Sequence, residues 1–353
     1  MSRFLSERFR ALEAYTPGEQ PQDKQYIKLN TNESPFPPAE DTIRAAAEAA
    51  KRLQLYPDPT AKKLREALAA AYGVKRENVF VSNGSDDILN FSFMAFCDGD
   101  HGALYPDVTY GFYPVYAELY GVPHEEIPLR EDFTVCVDDY IGKTGMVVIA
   151  NPNAPTGLAL SVEEVERLVS SDTDRVVVID EAYVDFGAES CLPLIAKYDN
   201  LLIVRTFSKS RSMAGARLGF AIAQAGLVAD LEKIKYSTNP YDINSMTQAA
   251  GLAALATGAY DEAHCLEVAR VREYVRAQLV LRGFDVTESV TNFLFAKPPK
   301  MGGEDYYLAL KSRGVLVRHF GAARIRDYVR VTIGTREQMD EFLKRTDEIL
   351  SAE

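Results

Sequence analysis

Short and almost purely apolar runs recur between residues 79 and 223, and they constrain the fold more than any other feature of this chain. Runs with so little polar alternation are typical of strands that are buried on both faces. They lie at residues 79–81, 103–105, 146–149, 176–179, 201–204 and 220–223. Helical patterns separate several of them, for example at 86–96 and 162–169. The sequence therefore predicts an α/β layer with a mostly parallel sheet.

The pattern changes after Tyr241, and this change suggests a division into domains. Two long Ala- and Leu-rich helical stretches come first, at 246–256 and 261–281. Short strand-like segments follow at 293–296, 315–317 and 328–333, and a closing helix begins at Arg336. The segment through Pro38 is rich in Pro, Asn and Gln and has no strong periodicity. We predict an N-terminal arm (1–40) contributing to a small domain, a large α/β domain (41–255) and a small α+β domain (256–353).

Composition excludes several classes of protein. The chain has 353 residues, 47% of them hydrophobic and 25% charged, which is a globular composition. A formal net charge of -12 argues against nucleic acid or an anionic membrane as the main partner, because both attract a basic surface. No apolar run approaches the roughly 18 residues of a membrane span, and residues 1–15 lack the apolar core of an export signal.

The cysteines and histidines suggest no metal site. Cys97, Cys136, Cys191 and Cys265 are widely spaced, without a C-x-x-C pair or a histidine at metal-ligand spacing. Neither a disulfide framework nor a zinc site is therefore predicted, and a reducing cytoplasm is the expected location.

A lysine follows the strand at 201–204, within residues 206–220 (TFSKSRSMAGARLGF). Lys209, just beyond a buried strand, can form an imine with an aldehyde cofactor. Ser208 and Arg217 could hold an anion beside it. The alternative is a solvated basic turn.

A carboxylate ends the strand at 176–179. Asp180 would be partly desolvated there, which is costly unless a cation such as a protonated pyridine nitrogen compensates. Tyr183, one turn further, could donate to a phenolic oxygen of the same cofactor. Alternatively, Asp180 caps the next helix and Tyr183 packs in the core.

Three other strand ends also carry polar or aromatic residues. Residues 82–87 (SNGSDD) place Ser85 and Asp86 at a helix start, which is an anion site or a plain N-cap. Tyr110 offers an aromatic face, or core packing. An asparagine within residues 151–157 (NPNAPTG) could bond a ring oxygen, or only shape a turn. In chain order, the strand ends present the parts of one cofactor's environment: phosphate, ring face, ring oxygen, and ring nitrogen with the imine lysine.

These residues resemble the fold-type I, class I/II aminotransferases over nearly the whole chain, and among them the histidinol-phosphate aminotransferase family. Residues 28–35 (KLNTNESP), 56–59 (YPDP) and 329–335 (VRVTIGT) are similar to motifs of that family. The resemblance implies the pyridoxal-phosphate-dependent transferase fold, with a large α/β domain and a small α+β domain.

The resemblance also implies a role for each matching residue. Lys209 would hold pyridoxal 5'-phosphate as a Schiff base, Asp180 would pair with its pyridine nitrogen, and Tyr183 would donate to its oxygen. Tyr110 would stack on the ring, and the phosphate would lie among Ser85, Asp86, Ser208 and Arg217. Thr206 would also bind the cofactor. Tyr56 would reach the phosphate in a neighbouring subunit, which implies a homodimer with two shared active sites.

The substrate residues are implied in the same way. Arg330 would bind the carboxylate of glutamate or 2-oxoglutarate, Arg318 and Tyr15 would meet the phosphate of histidinol phosphate, and Asn32 would also line the substrate site. Arginine suits both anions because its planar fork pairs bidentately with their oxygens. Ordinary surface ion pairs are the alternative for Arg318 and Arg330.

This sequence departs from the family pattern at one position. The family has Asn immediately before Pro-Thr-Gly, where this chain has Ala154, with Asn153 one residue earlier. Either Asn153 makes the cofactor contact through a shifted loop, which is our assignment, or the ring oxygen relies on Tyr183.

The expected reaction is amino transfer between L-histidinol phosphate and 2-oxoglutarate, giving imidazole-acetol phosphate and glutamate in histidine biosynthesis. An aromatic amino acid aminotransferase and a threonine-phosphate decarboxylase are the alternatives that would use the same cofactor. A catalytically silent binding protein that kept the fold is a third.

Overall fold

The predicted apolar runs all form strands in the computed structural model, which describes residues 2–352. In chain order the strands are β1 (Ile27–Lys28), β2 (Val79–Ser82), β3 (Ala103–Pro106), β4 (His124–Ile127), β5 (Met146–Ala150), β6 (Val177–Asp180), β7 (Leu201–Thr206), β8 (Gly219–Ala223), β9 (Asp285–Val286), β10 (Phe293–Lys297), β11 (Val315–Leu316), β12 (Arg318–His319) and β13 (Val329–Thr332).

The helical patterns predicted at 86–96, 162–169, 246–256, 261–281 and from Arg336 all form helices, and side-chain caps explain the starts of three of the helices. They are α1 (Glu40–Ala50), α2 (Lys62–Tyr72), α3 (Ser85–Phe96), α4 (Phe112–Tyr120), α5 (Val162–Ser170), α6 (Ala225–Thr238), α7 (Ser245–Ala256), α8 (Gly258–Leu281), α9 (Gly303–Ser312) and α10 (Arg336–Ser351). A reciprocal capping box starts α5, where Ser161 and Glu164 bond each other's backbone N–H. Thr335 and Gln338 start α10 in the same way.

The main sheet has seven strands in the order β2-β8-β7-β6-β5-β3-β4. The predicted mostly parallel arrangement is confirmed, and β8 alone in this sheet runs antiparallel to its neighbours. The reversal follows from the connection between β7 and β8, because residues 207–218 contain no crossover helix that could return the chain to a parallel start. The carboxyl ends of β2, β3, β5, β6 and β7 therefore lie along one edge of the sheet.

Helices cover both faces of this sheet, which explains why its strands are apolar throughout. In β6, Val177 and Ile179 pack in one buried cluster with Val165 of α5. Val178 points to the other face and packs in a second cluster with Leu89 of α3 and Tyr113 of α4. Successive side chains of a strand point to opposite faces, so each face needs its own apolar set.

The C-terminal elements form a separate core around the sheet β12-β13-β10-β9. Val329 and Val331 of β13 pack there with residues of α8, α9 and α10, including Leu279, Tyr306 and Phe342. The N-terminal segment has little regular structure, as predicted, but β1 pairs in parallel with β11 and so joins the arm to this region. The domain boundaries at residues 40 and 255 stay predictions.

Within residues 2–352, no helix is both long and apolar enough to cross a membrane.

Candidate active site

A cavity of about 230 Å³ lies at the edge of the main sheet where the carboxyl ends of its parallel strands meet. It brings together side chains that follow β2, β3, β6 and β7, as parallel sheets commonly do at their ligand sites. The residues predicted from the sequence that line it are Ser85, Asp86, Tyr110, Asp180, Tyr183, Thr206, Ser208, Lys209 and Arg217.

Lys209 lies in the connection after β7, and its side chain is half-buried in the cavity wall. Its Nζ donates a hydrogen bond to the backbone oxygen of Thr31 at 3.2 Å. Burial, followed by the nearby charge of Arg330, lowers the pKa of Lys209 to about 8. More of the amine is therefore the free base near neutral pH than in an exposed lysine, and the free base is the form that attacks an aldehyde.

Asp180 is the last residue of β6 and is 5% exposed. Its carboxylate accepts hydrogen bonds from the hydroxyl of Tyr113 at 3.2 Å and from the backbone N–H of Ala182 at 3.2 Å. Burial raises the pKa of Asp180 to about 7, and the negative charges of Asp86 and Glu181 also raise it. A cation placed against this carboxylate would relieve the cost of burying it.

Another part of the cavity wall is suited to an anion. Gly84 has a φ of 87°, which lets the chain turn into α3 so that Ser85 begins the helix. The hydroxyl of Thr206 donates to Ser208 at 2.9 Å, and the guanidinium of Arg217 lies 3.5 Å from the same serine hydroxyl. A helix start, two hydroxyls and an arginine form a site of the kind that binds phosphate.

Asp86 links this anion site to the aromatic wall. Its carboxylate accepts from Arg217 at 2.7 Å and from the hydroxyl of Tyr110 at 2.7 Å. Burial, followed by the charge of Asp86, raises the pKa of Tyr110 well above its usual range, so this tyrosine stays protonated. An incoming phosphate would share Arg217 with Asp86.

Asn153, to which we assigned a cofactor contact, does not line this cavity or the second one described below. The amide nitrogen of Asn153 donates to the backbone oxygen of Val108 at 2.9 Å and to Thr156 at 3.1 Å, and its oxygen accepts from Thr109 at 2.7 Å. These bonds use the side chain to hold its own loop. Ala154 lines the cavity instead.

A second cavity, of about 370 Å³, continues from the first and shares Thr31, Tyr110, Ala154, Tyr183 and Lys209 with it. The four residues predicted to bind substrate all line this cavity; they are Tyr15, Asn32, Arg318 and Arg330. Tyr15 stacks on Phe112, with ring centroids 4.2 Å apart. The N-terminal arm and the C-terminal sheet thus complete a space that begins at the main sheet.

Arg318 and Arg330 are direct partners across the β12–β13 ladder. Their guanidinium groups donate to backbone oxygens, Arg318 to Thr16 at 3.0 Å and Pro17 at 3.2 Å, and Arg330 to Asn30 at 3.1 Å. No carboxylate among residues 2–352 lies within 4.0 Å of either group, and Nε of Arg330 is buried without a partner. Like charges opposite each other destabilise a sheet, so this pair favours an anionic ligand.

Tyr56 lies outside both cavities of its own chain. Its side chain is 83% exposed and stacks on Tyr241, with ring centroids 4.7 Å apart. The expected contact of Tyr56 is with the cofactor phosphate in a neighbouring subunit.

The structure also shows site residues that the sequence did not single out. Tyr113 bonds Asp180, Thr31 accepts from Lys209, and Phe320 lines the second cavity beside the two arginines. Tyr113 lies in an aromatic stretch where every ring is an equally good core candidate, and Thr31 contributes only its backbone oxygen. No signal in the sequence distinguishes them. Within residues 2–352, no group of three or more His, Cys, Asp or Glu side chains could hold a metal ion.

The fold and this site are those of a class I and II aminotransferase, and a model of the family described as aminotransferase class I and II matches residues 24–345. The chain belongs to that family, and it is a pyridoxal-phosphate-dependent transaminase.

Within the family, the sequence is similar to histidinol-phosphate aminotransferases of several bacteria. Histidinol-phosphate aminotransferase 1 of Bradyrhizobium diazoefficiens is 48% identical over 354 residues, which cover 99% of this chain and 100% of that protein. The histidinol-phosphate aminotransferase of Brachyspira hyodysenteriae is 46% identical over 352 residues, 99% of each chain. The solved structure of the Sinorhizobium meliloti enzyme in complex with pyridoxal-5'-phosphate has the same fold, with a TM-score of 0.85 and 24% identity over 93% of this chain and 92% of that one.

The residues present fit pyridoxal phosphate. A half-buried amine of lowered pKa, a buried carboxylate and an anion site lie around one cavity, each matching a different group of the cofactor. The carboxylate, that of Asp180, has no cationic side chain within 4.0 Å among residues 2–352.

Proposed function

We propose that this chain transfers an amino group between L-histidinol phosphate and 2-oxoglutarate, as a step of histidine biosynthesis. The observation that carries the proposal is the cross-strand pair Arg318 and Arg330, which lies beside Lys209 without a carboxylate partner among residues 2–352. Both substrates are anionic, one through a phosphate and the other through carboxylates. The printed names of the relatives describe the same activity.

When bound, pyridoxal phosphate supplies an aldehyde that captures amines and a ring that accepts the electron pair released at the substrate's α carbon. Lys209, as a free base, would remove the proton at that carbon. It would then deliver a proton to the cofactor carbon that belonged to the aldehyde. Asp180, as an anion, would keep a proton on the pyridine nitrogen, and that cation would in turn lower the pKa of Asp180. Tyr183 would donate to the ring oxygen.

The two arginines divide the recognition of substrate. Arg330 binds the carboxylate of glutamate or 2-oxoglutarate, and Arg318, with Tyr15, binds the phosphate of histidinol phosphate. In this structure Arg318 is held by the backbone oxygens of Thr16 and Pro17. An arriving phosphate would replace those neutral acceptors with charged ones, which form stronger hydrogen bonds.

We also propose a homodimer with two shared active sites. Tyr56 is exposed close in sequence to Leu53 and Leu55, which are 57% and 60% exposed. Apolar side chains exposed together on a surface favour a protein partner. Tyr56 would then cross to the phosphate end of the partner subunit's cavity.

The four cysteines are free in the structure, which supports a cytoplasmic location.

A spectral titration tests the function directly. Purified protein carrying its cofactor is mixed separately with histidinol phosphate, glutamate, phenylalanine and phosphothreonine, and the loss of the cofactor's visible absorbance is followed. We expect histidinol phosphate to act at the lowest concentration and glutamate to act as the second partner. The Arg318→Gln variant should lose affinity for histidinol phosphate by about tenfold or more while keeping that for glutamate, because it removes a charge-assisted bond.

Three outcomes would replace the proposal. A response to phenylalanine but not to histidinol phosphate would indicate an aromatic aminotransferase. Release of carbon dioxide from phosphothreonine would indicate a decarboxylase. Binding of the cofactor without a response to any of these amines would indicate a silent binding protein.

A further inference from the structure

The hydroxyl of Tyr183 has a fixed direction in this structure. Its oxygen lies 3.0 Å from Nδ2 of Asn32. An amide nitrogen can only donate, so the tyrosine oxygen is the acceptor and its own hydrogen is left for another partner. Burial raises the pKa of Tyr183, so that hydrogen is present at neutral pH. Tyr183 lines both cavities, and its hydroxyl hydrogen has no acceptor among residues 2–352.

The orientation of the Asn32 amide is itself fixed by Thr332. The backbone N–H of Asn32 donates to Oγ1 of Thr332 at 2.9 Å, and the threonine hydroxyl donates to Oδ1 of Asn32 at 3.0 Å. Nδ2 of Asn292 holds the backbone oxygen of Asn32 at 3.0 Å. Asn32, Thr332 and Asn292 are all buried, so water does not compete for these bonds. With Oδ1 committed to Thr332, the amide must present its NH2 group to Tyr183.

The usual second donor is missing from this wall. Ala154 lines the cavity with a methyl group, and the amide of Asn153 is used within its own loop. A donor to the ring oxygen of the cofactor must therefore come from Tyr183. The direction of its hydroxyl has more influence on the ring oxygen here than it would if an asparagine also donated to that oxygen.

We infer that Thr332 is a positioning residue, which acts through Asn32 to aim the hydroxyl of Tyr183 at the cofactor. The inference rests on the proposed site, in which Tyr183 faces the ring oxygen. It gives a buried threonine of β13, outside both cavities, a defined effect on the chemistry of the cofactor.

The pH midpoint of the bound cofactor's visible absorbance change measures this effect without turnover. A ring oxygen that loses a donor holds a proton more tightly, so the midpoint moves to higher pH. Thr332→Val keeps the shape of the side chain and removes the hydroxyl, and we expect the midpoint to rise by about 0.5–1 pH unit, the equivalent of one neutral hydrogen bond. Thr332→Ser keeps the hydroxyl and should retain the wild-type midpoint.

A double-mutant cycle separates this role from a general structural one. Tyr183→Phe should raise the midpoint at least as far as Thr332→Val, and adding Thr332→Val to it should produce no further rise. A midpoint unchanged in Thr332→Val, or a full additional rise in the double variant, would overturn the inference. The second result would mean that Thr332 acts through neighbouring Arg330.

A second variant covers the case in which Thr332→Val does not fold. In Asn32→Asp the carboxylate cannot donate to Tyr183 and instead accepts its hydrogen, so the midpoint should rise as in Tyr183→Phe; an unchanged midpoint would overturn the inference. Wild-type protein that takes up no cofactor would overturn the proposed function together with this inference. Normal cofactor uptake with unshifted midpoints in the variants would overturn only the positioning role of Thr332.

Discussion

At the scale of residues, burial brings the pKa values of the two main titrating groups of the cavity closer together. The pKa of Lys209 falls to about 8, whereas that of Asp180 rises to about 7. In each case burial is the largest cause, because a partly dry cavity disfavours the charged form of either group. These two groups therefore suit a molecule that bonds the amine and places a cation beside the carboxylate.

Removing the amine tests its assignment. Lys209→Ala should abolish the visible absorbance of the bound cofactor and lower turnover by at least about 10⁴-fold, because the nucleophile and the proton carrier are lost together. Lys197→Ala is the control, since Lys197 pairs with Glu166 at the surface at 3.0 Å. Absorbance and turnover that survive in Lys209→Ala would place the reacting lysine elsewhere.

The lowered pKa of Lys209 predicts how cofactor capture depends on pH. Below about pH 8 the amine of the cofactor-free protein is mostly protonated and cannot attack an aldehyde. The rate at which absorbance returns after pyridoxal phosphate is added should rise about tenfold per pH unit up to that point, and level off above it. Stopped-flow measurements between pH 6 and 10 check this. A rise that continues towards pH 10.5 would show that the lysine is not desolvated.

At the scale of elements, the phosphate end of the cavity depends on how closely β8 approaches the start of α3. A Cβ added at Gly219 would lie 2.4 Å from the backbone carbon of Gly84 and 2.4 Å from the backbone nitrogen of Ser85. Both contacts are with backbone atoms, so a larger residue must displace the helix start.

Gly219→Ala should therefore weaken cofactor binding by about tenfold or more, because small displacements of binding groups are costly. Gly226→Ala is the matched control: a Cβ there meets no described atom within 4 Å, and within α6 alanine is the better helix former. Absorbance titrations give both affinities, and thermal unfolding reports stability. Wild-type affinity in Gly219→Ala would contradict the role given to this contact.

At the scale of the whole molecule, one chain does not place every predicted cofactor residue around its own cavity. Tyr56→Phe, which removes only a hydroxyl, should weaken cofactor binding by about 10–100-fold, the effect of losing a hydrogen bond to a charged phosphate. Light scattering should still give the mass of a dimer. Tyr26→Phe removes a hydroxyl that bonds Asp23 at 3.1 Å and should leave the affinity unchanged. A monomeric protein with full affinity would refute the shared site.

The sequence by itself predicted the strands of the main sheet other than β4, and much of the cofactor end of the site. The apolar runs could be recognised as strands because burial on both faces excludes polar residues, and strand ends in a parallel sheet meet at one edge. Asp180 and Lys209 were predictable for that reason, since Asp180 ends β6 and Lys209 follows closely after β7. Arg217 was predicted from its place in the run at 206–220.

The tertiary structure alone decided the rest. Arg318 and Arg330 meet across β12 and β13, and Asn32 reaches both Tyr183 and Thr332, through contacts between segments that are distant in sequence. The sequence could not give the direction of the Asn153 side chain, because that direction depends on which neighbours satisfy its hydrogen bonds, here Val108, Thr109 and Thr156. Periodicity records which face of an element is buried, but it carries no information about which buried faces meet, and that pairing is what sets the substrate side of this site.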